Sequence, residues 1–439
     1  MKKMLALFVI ASLVFAGGIV TNTNQSADFV RSLSRNASTD VDAAYFNPAG
    51  LTQLDDGMYL SISAQNIFQN RDIHNATTEG AFTDFDGMYH GEVYAPIFPN
   101  FYFVHKSGKT AFSLGFAPVG GGGGAEFVDG LPSIDMMMLG TAGQYLGLDT
   151  GALNPALAGY GIITGMSYAQ TFSATSAYLG FQFGVAREVM ENLSLSIGGR
   201  YVIAHDSFDG AIDFAGFSTT IPGMEFIDAP SETIVLGESD GTSFTTILGL
   251  NYTMGNTNIA MKYETMSELV MDYTIDETDN AGLLPAIANA DMPALFGFGV
   301  SNQLMSNLSA SFSMNYYFNT DVDWDWDEGT TAEDFLTNGY DMAFGVEYTL
   351  SDALMLSAGY MISESGAEDV YHSDMSHALD TNTFGLGAKY SLNSNIDLSV
   401  GYLNTTYVEG FNVLEASYPA QETYNRDARD VAFGIQYKF

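Results

Sequence analysis

The sequence predicts an all-β fold, a transmembrane antiparallel β-barrel of about fourteen strands, an even number as bacterial barrels have. Three observations predict it. The C-terminal segment alternates apolar and polar residues without a break. The same alternation recurs in segments of about 10 residues, the length that a tilted strand needs to cross a bilayer. Short turns and long connections then follow one another in strict succession.

The leader comes first. Lys2 and Lys3 precede an almost unbroken apolar run from Met4 to Ala16, which ends in Val14-Phe15-Ala16. A short positive region, an apolar stretch and a small residue at the cleavage position make a secretory signal peptide. Residues 1–16 are therefore read as leader, and the run is short of the about 20 residues of a spanning helix. Of the 439 residues, 46% are apolar and 13% aromatic, and none is cysteine. An exported chain without cysteine has no disulfide framework. Six histidines and no cysteine leave little scope for a transition-metal cluster, and no cofactor is expected.

At the C-terminus Val431, Phe433, Ile435, Tyr437 and Phe439 alternate with Ala432, Gly434, Gln436 and Lys438. A strand between lipid and a polar lumen must read this way, because successive side chains point to opposite faces. An aromatic last residue also resembles the signal by which barrel-assembly machinery recognises its clients. Leu193, Leu195, Ile197 and Tyr201 oppose Ser194, Ser196 and Arg200 in the same manner. Leu308, Ala310, Phe312, Met314 and Tyr316 oppose Ser309, Ser311, Ser313 and Asn315.

Short turns lie near 107–109, 188–192, 255–256, 304–307, 351–352 and 393–395. Long connections lie near 67–96, 119–168, 206–241, 266–293, 319–339, 364–381 and 407–428. This succession gives fourteen strands with both barrel ends on the short-turn side, as short periplasmic turns and long outer loops require. Without the two leader lysines the chain carries 12 basic against 52 acidic residues, a net charge of −40. The long connections hold 39 of those acids and only two basic residues, Arg71 and Arg426. The charge excludes nucleic acid as a partner, since no basic patch can neutralise phosphates. Beside outer-membrane lipid and anionic lipopolysaccharide such loops repel unless divalent cations bridge them, or they simply keep the chain soluble before insertion.

Residues 17–56 are too long for a mere tail, and residues 57–439 form the barrel. The stretch Gly17 to Leu54 mixes small, polar and apolar residues and can lie inside the lumen, where the wall shields irregular backbone from lipid. Here Ser34-Arg35-Asn36-Ala37-Ser38-Thr39-Asp40 and Ala43-Ala44-Tyr45-Phe46-Asn47-Pro48-Ala49-Gly50-Leu51 resemble the N-terminal hatch of the FadL/TodX outer-membrane transporters of long-chain fatty acids and aromatic hydrocarbons. Asn47, Pro48 and Ala49 carry the hatch motif. Pro118 to Phe127 is similar to the glycine-rich end of the family's third strand, and Asp291-Met292-Pro293 to a motif opening a later strand.

The resemblance implies fourteen strands, a plugged lumen, a site in the bacterial outer membrane and passive uptake of hydrophobic small molecules. It implies a capture groove in the segment Leu131 to Tyr160, with Met136, Met137, Leu139, Tyr145 and Leu146, faced by Leu283 and Leu284. Apolar residues in an outer loop either mark a binding surface or pack as a helix on their neighbours. It also implies lateral release at a kinked third strand, where Pro118 and Gly121, Gly122 and Gly123 disfavour continued pairing; a loop without a role reads equally well. Strand parity points Arg200, Lys262 and Lys389 inward, and Arg31 and Arg35 lie in the hatch. These cations serve either a ligand carboxylate or inward-facing acids.

Other functions read less well. A porin needs an open channel, which a plug denies. Haem uptake rests only on the loop histidines His74, His90, His372 and His377. A lipid-modifying enzyme needs a nucleophile beside a histidine, and no Ser-His pair shares one strand face at a suitable spacing. The run Asp321 to Glu328 lacks the glycine and glutamate of an EF-hand, so Trp324 and Trp326 read as strand-end aromatics of the interfacial belt.

Overall fold

A computed structural model describes residues 24–77, 87–135, 138, 162–276, 287–324, 331–413 and 420–439. The leader and residues 17–23 lie outside them. The strands are β1 (Gly57–Thr77), β2 (Gly87–Ser107), β3 (Thr110–Phe127), β4 (Ile163–Met190), β5 (Leu193–Thr219) and β6 (Phe226–Met254). They continue with β7 (Thr257–Glu264), β8 (Val270–Asp276), β9 (Ile287–Asn289), β10 (Leu295–Met305), β11 (Leu308–Tyr317) and β12 (Gly339–Ser351). The last are β13 (Leu354–Glu364), β14 (Thr381–Asn393), β15 (Ile396–Tyr407), β16 (Gly410–Val413) and β17 (Ala420–Lys438).

These segments make fourteen passes, because β7 with β8, β9 with β10, and β15 with β16 each complete one. Neighbouring passes are antiparallel, and β1 closes on β17 from Tyr59↔Lys438 to Thr77↔Ala420. The expected short turns sit where the sequence puts them; at one, Asn192 takes φ 66°, a left-handed conformation that asparagine tolerates better than most residues.

The outer face explains the closure. Phe112, Leu114, Phe183, Ile197, Phe244, Phe344 and Phe433 all point outward and are exposed. In water such a belt would be a severe liability, but in lipid it is the stabilising face.

Strand length departs from expectation. Strands β4, β5 and β6 run for 28, 27 and 29 residues, so most of the stretch 206–241 is wall rather than loop. The reason is a reversal of polarity along one strand. Low on β5, Leu195, Ile197, Tyr201 and Ile203 face out while Ser194, Ser196 and Arg200 face in. Higher up, Phe208, Ile212 and Phe214 are buried inside while Asp209 and Asp213 face out. Strand β4 reverses at the same height: Phe181, Phe183 and Val185 face out below, but Thr171, Ser173 and Thr175 face out above, with Phe172 inside. The wall therefore leaves the bilayer and continues into water with its apolar face turned to the lumen.

A second correction concerns Trp324. It is 1% exposed and lies with Val322, Leu336 and Tyr371 in a small apolar cluster, not in the interfacial belt. Its indole N–H donates to the Asp291 carbonyl at 2.9 Å, and a buried indole needs such a partner. Trp326 lies outside the described residues.

Candidate functional site: a plugged lumen beneath an outer chamber

Residues 24–56 fill the lower lumen as a helix Ala27–Ser32, a turn of helix Ala43–Phe46 and a 3₁₀ helix Pro48–Gln53. Ser26 caps the first helix through Phe29 N–H, and Asn47 caps the third by accepting from Ala49 N–H at 3.1 Å, with Pro48 at a first position that lacks no needed donor. Two asparagines fasten this segment to the wall. Asn36 donates to the carbonyls of Phe298 and Met314 at 3.2 and 3.0 Å, and Asn47 to those of Leu250 and Met261 at 2.9 and 3.2 Å. Each pair of carbonyls belongs to ladder partners, whose second lone pairs remain available.

The wall is thinned where the plug touches it. Gly345, Gly359 and Gly385 are mutual ladder partners on β12, β13 and β14. A Cβ on Gly359 would stand 2.2 Å from the Ser32 carbonyl oxygen. Only glycine lets the helix backbone approach the sheet so closely.

Every lumen cation named from the sequence meets an acid. Arg35 donates to both carboxylate oxygens of Asp42, at 2.6 and 2.8 Å, a bidentate pair. Arg31 bonds Asp28 and Glu347. Lys389 reaches Asp40 at 2.6 Å. Burial works against the charge of Asp40, yet Lys389 beside it holds its carboxyl far below the ordinary range. Arg200 and Lys262 share one acid, Glu264, at 2.7 and 2.6 Å. Both cations also lie against the Tyr45 ring, 4.8 and 5.3 Å from its centroid, within cation–π range. Two cations and one carboxylate thus border a small pocket that Val119, Val202, Met292 and Leu295 line on the apolar side.

Above the plug lies a chamber of about 470 Å³. Phe29 and Met361 form part of its floor, and Ile67, Phe98, Phe172, Phe208 and Leu379 part of its sides. Its upper apolar cluster includes Leu131, Ile134 and Met138 from the segment after β3, all buried. Buried Asp135 ties that segment down by accepting from the hydroxyls of Tyr89 and Tyr168 and from Gln170 Nε2 at 2.7 Å. Burial pushes the Asp135 carboxyl up to about 6 despite these donors. Asp374 accepts from Ser133 N–H at 2.8 Å. The named groove residues Met136, Met137, Leu139, Tyr145, Leu146, Leu283 and Leu284 lie outside the described residues. Of the same segment, the described Leu131, Ile134 and Met138 pack inward on their neighbours.

Pro118 and the glycines adjoin a break in the ladder. β2 pairs with β3 up to Phe101↔Phe116 and resumes only at Val93↔Ala125. Toward β4 the same stretch of β3 stays paired, with register shifts between Pro118 and Gly120 and between Gly120 and Gly123. Gly121 and Gly123 take φ +90° and +71°, and a Cβ on Gly121 would stand 2.4 Å from the Ser176 carbonyl. Gly121, Gly123, Ala95 and Phe98 line the chamber, so the break lies in its wall.

Two chamber residues were missed as lumen cations. Arg71 and Arg426, counted among loop residues, face inward on the extended β1 and β17, and both line the chamber. Parity carried back from Phe433 and forward from Ile62 would have found them, had the strands been allowed to outrun the bilayer. His372 and His377 flank the Tyr424 ring, His377 stacked at 4.8 Å. No group of three potential metal ligands occurs among the described residues.

A closed antiparallel barrel with an apolar outer belt, a stitched plug and an interrupted wall defines a class, the plugged outer-membrane barrels. Solved structures of that class are similar to this one. A FadL homologue of Pseudomonas aeruginosa matches at TM-score 0.66 and 14% identity, covering 96% of this chain and 100% of that one. The toluene transporter TodX of P. putida matches at TM-score 0.61 and 12% identity, covering 92% and 95%. The toluene transporter TbuX of Ralstonia pickettii matches at TM-score 0.51 and 16% identity, covering 91% and 94%. The chain has the FadL/TodX fold over nearly its whole length, and these named transporters are not enzymes. No protein-family model matches the sequence, and no curated protein matches it.

Proposed function

We propose that this protein admits hydrophobic small molecules, long-chain fatty acids or aromatic hydrocarbons, through the outer membrane by passive diffusion. One observation carries the reading: the apolar chamber adjoins the stretch where β2 and β3 stop pairing. A ligand in the chamber can pass between these strands into the bilayer without crossing the plug or bulk water. Unpaired backbone facing lipid is expensive, so a break of this length calls for a use. The plug speaks against a porin, because its ion pairs and asparagine stitches would have to break to open an aqueous channel.

Capture falls to Met136, Met137, Leu139, Tyr145 and Leu146, together with Leu283 and Leu284. Methionines there suit ligands of varied shape. Of the lumen cations named from the sequence, Arg200 and Lys262 share one carboxylate and have charge to spare for an acidic ligand. Strand β17, with Phe433 and Ile435 facing out, suits recognition by barrel-assembly machinery, and the acidic outer segments suit divalent cations bridging to lipopolysaccharide. The test is equilibrium binding of anthroyloxy-stearate to the purified barrel in neutral detergent. Saturable binding, displaced by toluene or oleate, supports the reading; a signal that never saturates contradicts it.

A further inference from the structure

We propose that Arg71 and Arg426 form a receptor in the outer chamber for the carboxylate of an amphiphile whose tail lies along the chamber wall. The inference rests on the uptake reading above and narrows it to an acid-headed ligand at this site. Arg71 and Arg426 are directly opposed in the ladder that closes the barrel. They are the two basic residues of outer stretches that otherwise hold 39 acids, and they meet on one face.

Like charges directly opposite one another on a sheet destabilise it, and a charge withdrawn from water is costly unless paired. Yet among the described residues neither guanidinium forms an ion pair. Arg71 Nε and one terminal nitrogen of Arg426 donate to the same Gln69 Oε1, at 3.0 and 2.9 Å. Arg426 also lies 4.8 Å from the centre of the Tyr407 ring. Its Nε is buried without a partner. A guanidinium offers five N–H donors, and most of those here have no partner among the described residues.

The chamber's acids are engaged elsewhere. Of the acids lining the chamber, Asp430 accepts from Asn24 at 2.6 Å and Asp206 from the Tyr178 hydroxyl at 3.2 Å, while Glu422 on β17 accepts from the Tyr424 hydroxyl at 2.6 Å. His377, which also lines the chamber, stays neutral, because burial and then the two arginines push it well below its ordinary range. Among the described residues no carboxylate stands within ion-pair distance of either guanidinium, so the site holds two positive charges without a paired acid. A planar carboxylate between two forks takes charge-assisted hydrogen bonds from both. Ile67, Phe98 and Phe208, lining the same chamber, would receive its tail.

The experiment measures binding of laurate and of dodecanol, its neutral counterpart, to the full-length barrel in neutral detergent by calorimetry. Wild type is expected to prefer laurate, and R71Q/R426Q to bind laurate about tenfold more weakly with dodecanol unchanged. R71K/R426K, with charge but no fork, should fall between them. Heat-modifiable migration on gels checks that each variant is folded. Equal laurate affinity in wild type and R71Q/R426Q overturns the proposal, as does a parallel loss of both probes. Wild type alone also decides: dodecanol bound as tightly as laurate removes the receptor while the uptake reading stands. Failure of wild type to bind either probe overturns the uptake reading itself.

Discussion

The ammonium of Lys389 on β14 stands 2.6 Å from a carboxylate oxygen of Asp40 in the plug, a bond between residues 349 positions apart. It is one of the charged ties that hold the hatch against the wall. Breaking a buried pair by removing one partner costs roughly 3 kcal/mol. Lys389→Met is therefore expected to loosen the plug, seen as faster proteolysis of residues 24–56 in an otherwise folded barrel. The pH dependence follows from Asp40. Its folded-state pKa lies below the ordinary 3.8, so the tie stabilises above that value and is lost as pH falls through the folded pKa. Lys389→Met removes the main cause of that depression, so the share of acid loosening that Asp40 contributes in wild type should shrink in the variant.

Gly359→Val tests whether the plug needs the thinned wall. The added side chain meets the Ser32 carbonyl, so the helix Ala27–Ser32 must move away. Planar-bilayer recordings are expected to show small, unsteady currents in wild type and a wide, steady channel in the variant. Deletion of residues 17–50 sets the fully open level. A wild type as conductive as the deletion would mean that the segment is no plug.

Asp135 makes the chamber roof sensitive to pH. Its carboxyl is pushed up to about 6, so the docked segment binds a proton that the undocked one releases. Docking is thus favoured in acid and weakens as pH rises from about 4 to 6. Protection of the amides of residues 131–135, taken relative to their intrinsic exchange rates, is expected to be greater at pH 5 than at pH 8. Asp135→Asn should flatten that difference.

Exit between β2 and β3 can be tested on an assembled protein, because the chain has no cysteine. Gly121 is a poor place for a side chain, given its φ and the Ser176 carbonyl. Gly124 has no neighbour nearer than 3.4 Å to a would-be Cβ. Gly124→Cys is expected to transport normally until a bulky maleimide is attached, and then to stop. Undiminished transport after complete labelling places the exit elsewhere. The triple change of Gly121, Gly122 and Gly123 to Val, provided that it assembles, should likewise slow transport.

The barrel was legible in the sequence because a lipid-facing strand has one permitted pattern. Phe433, Ile435 and Tyr437 mark it at the end of the chain, and Leu193 to Tyr201 in the middle. Above the bilayer the pattern inverts, as Phe208 and Asp209 show, so a rule written for lipid stops the strand too early. That inversion hid Arg71 and Arg426, which only a lumen-facing extension brings together. Trp324 misled because an interfacial and a buried tryptophan have the same neighbours in sequence; the Asp291 carbonyl that receives its N–H is 33 residues away. The hatch motif, by contrast, carries its own local chemistry. Asn47 caps the helix that Pro48 begins, while its amide reaches the wall.

Hydrophobic molecules are proposed to enter through this barrel and leave by its side. The most direct measurement is accumulation of radiolabelled oleate and toluene by bacteria lacking their own outer-membrane channels for these compounds, with and without this protein. Expression of wild type should accelerate uptake of at least one of them without admitting a small hydrophilic sugar, and maleimide-blocked Gly124→Cys should abolish the gain. Uptake no faster than in cells without the protein, or sugar entering as readily as the hydrophobic probe, would contradict the account.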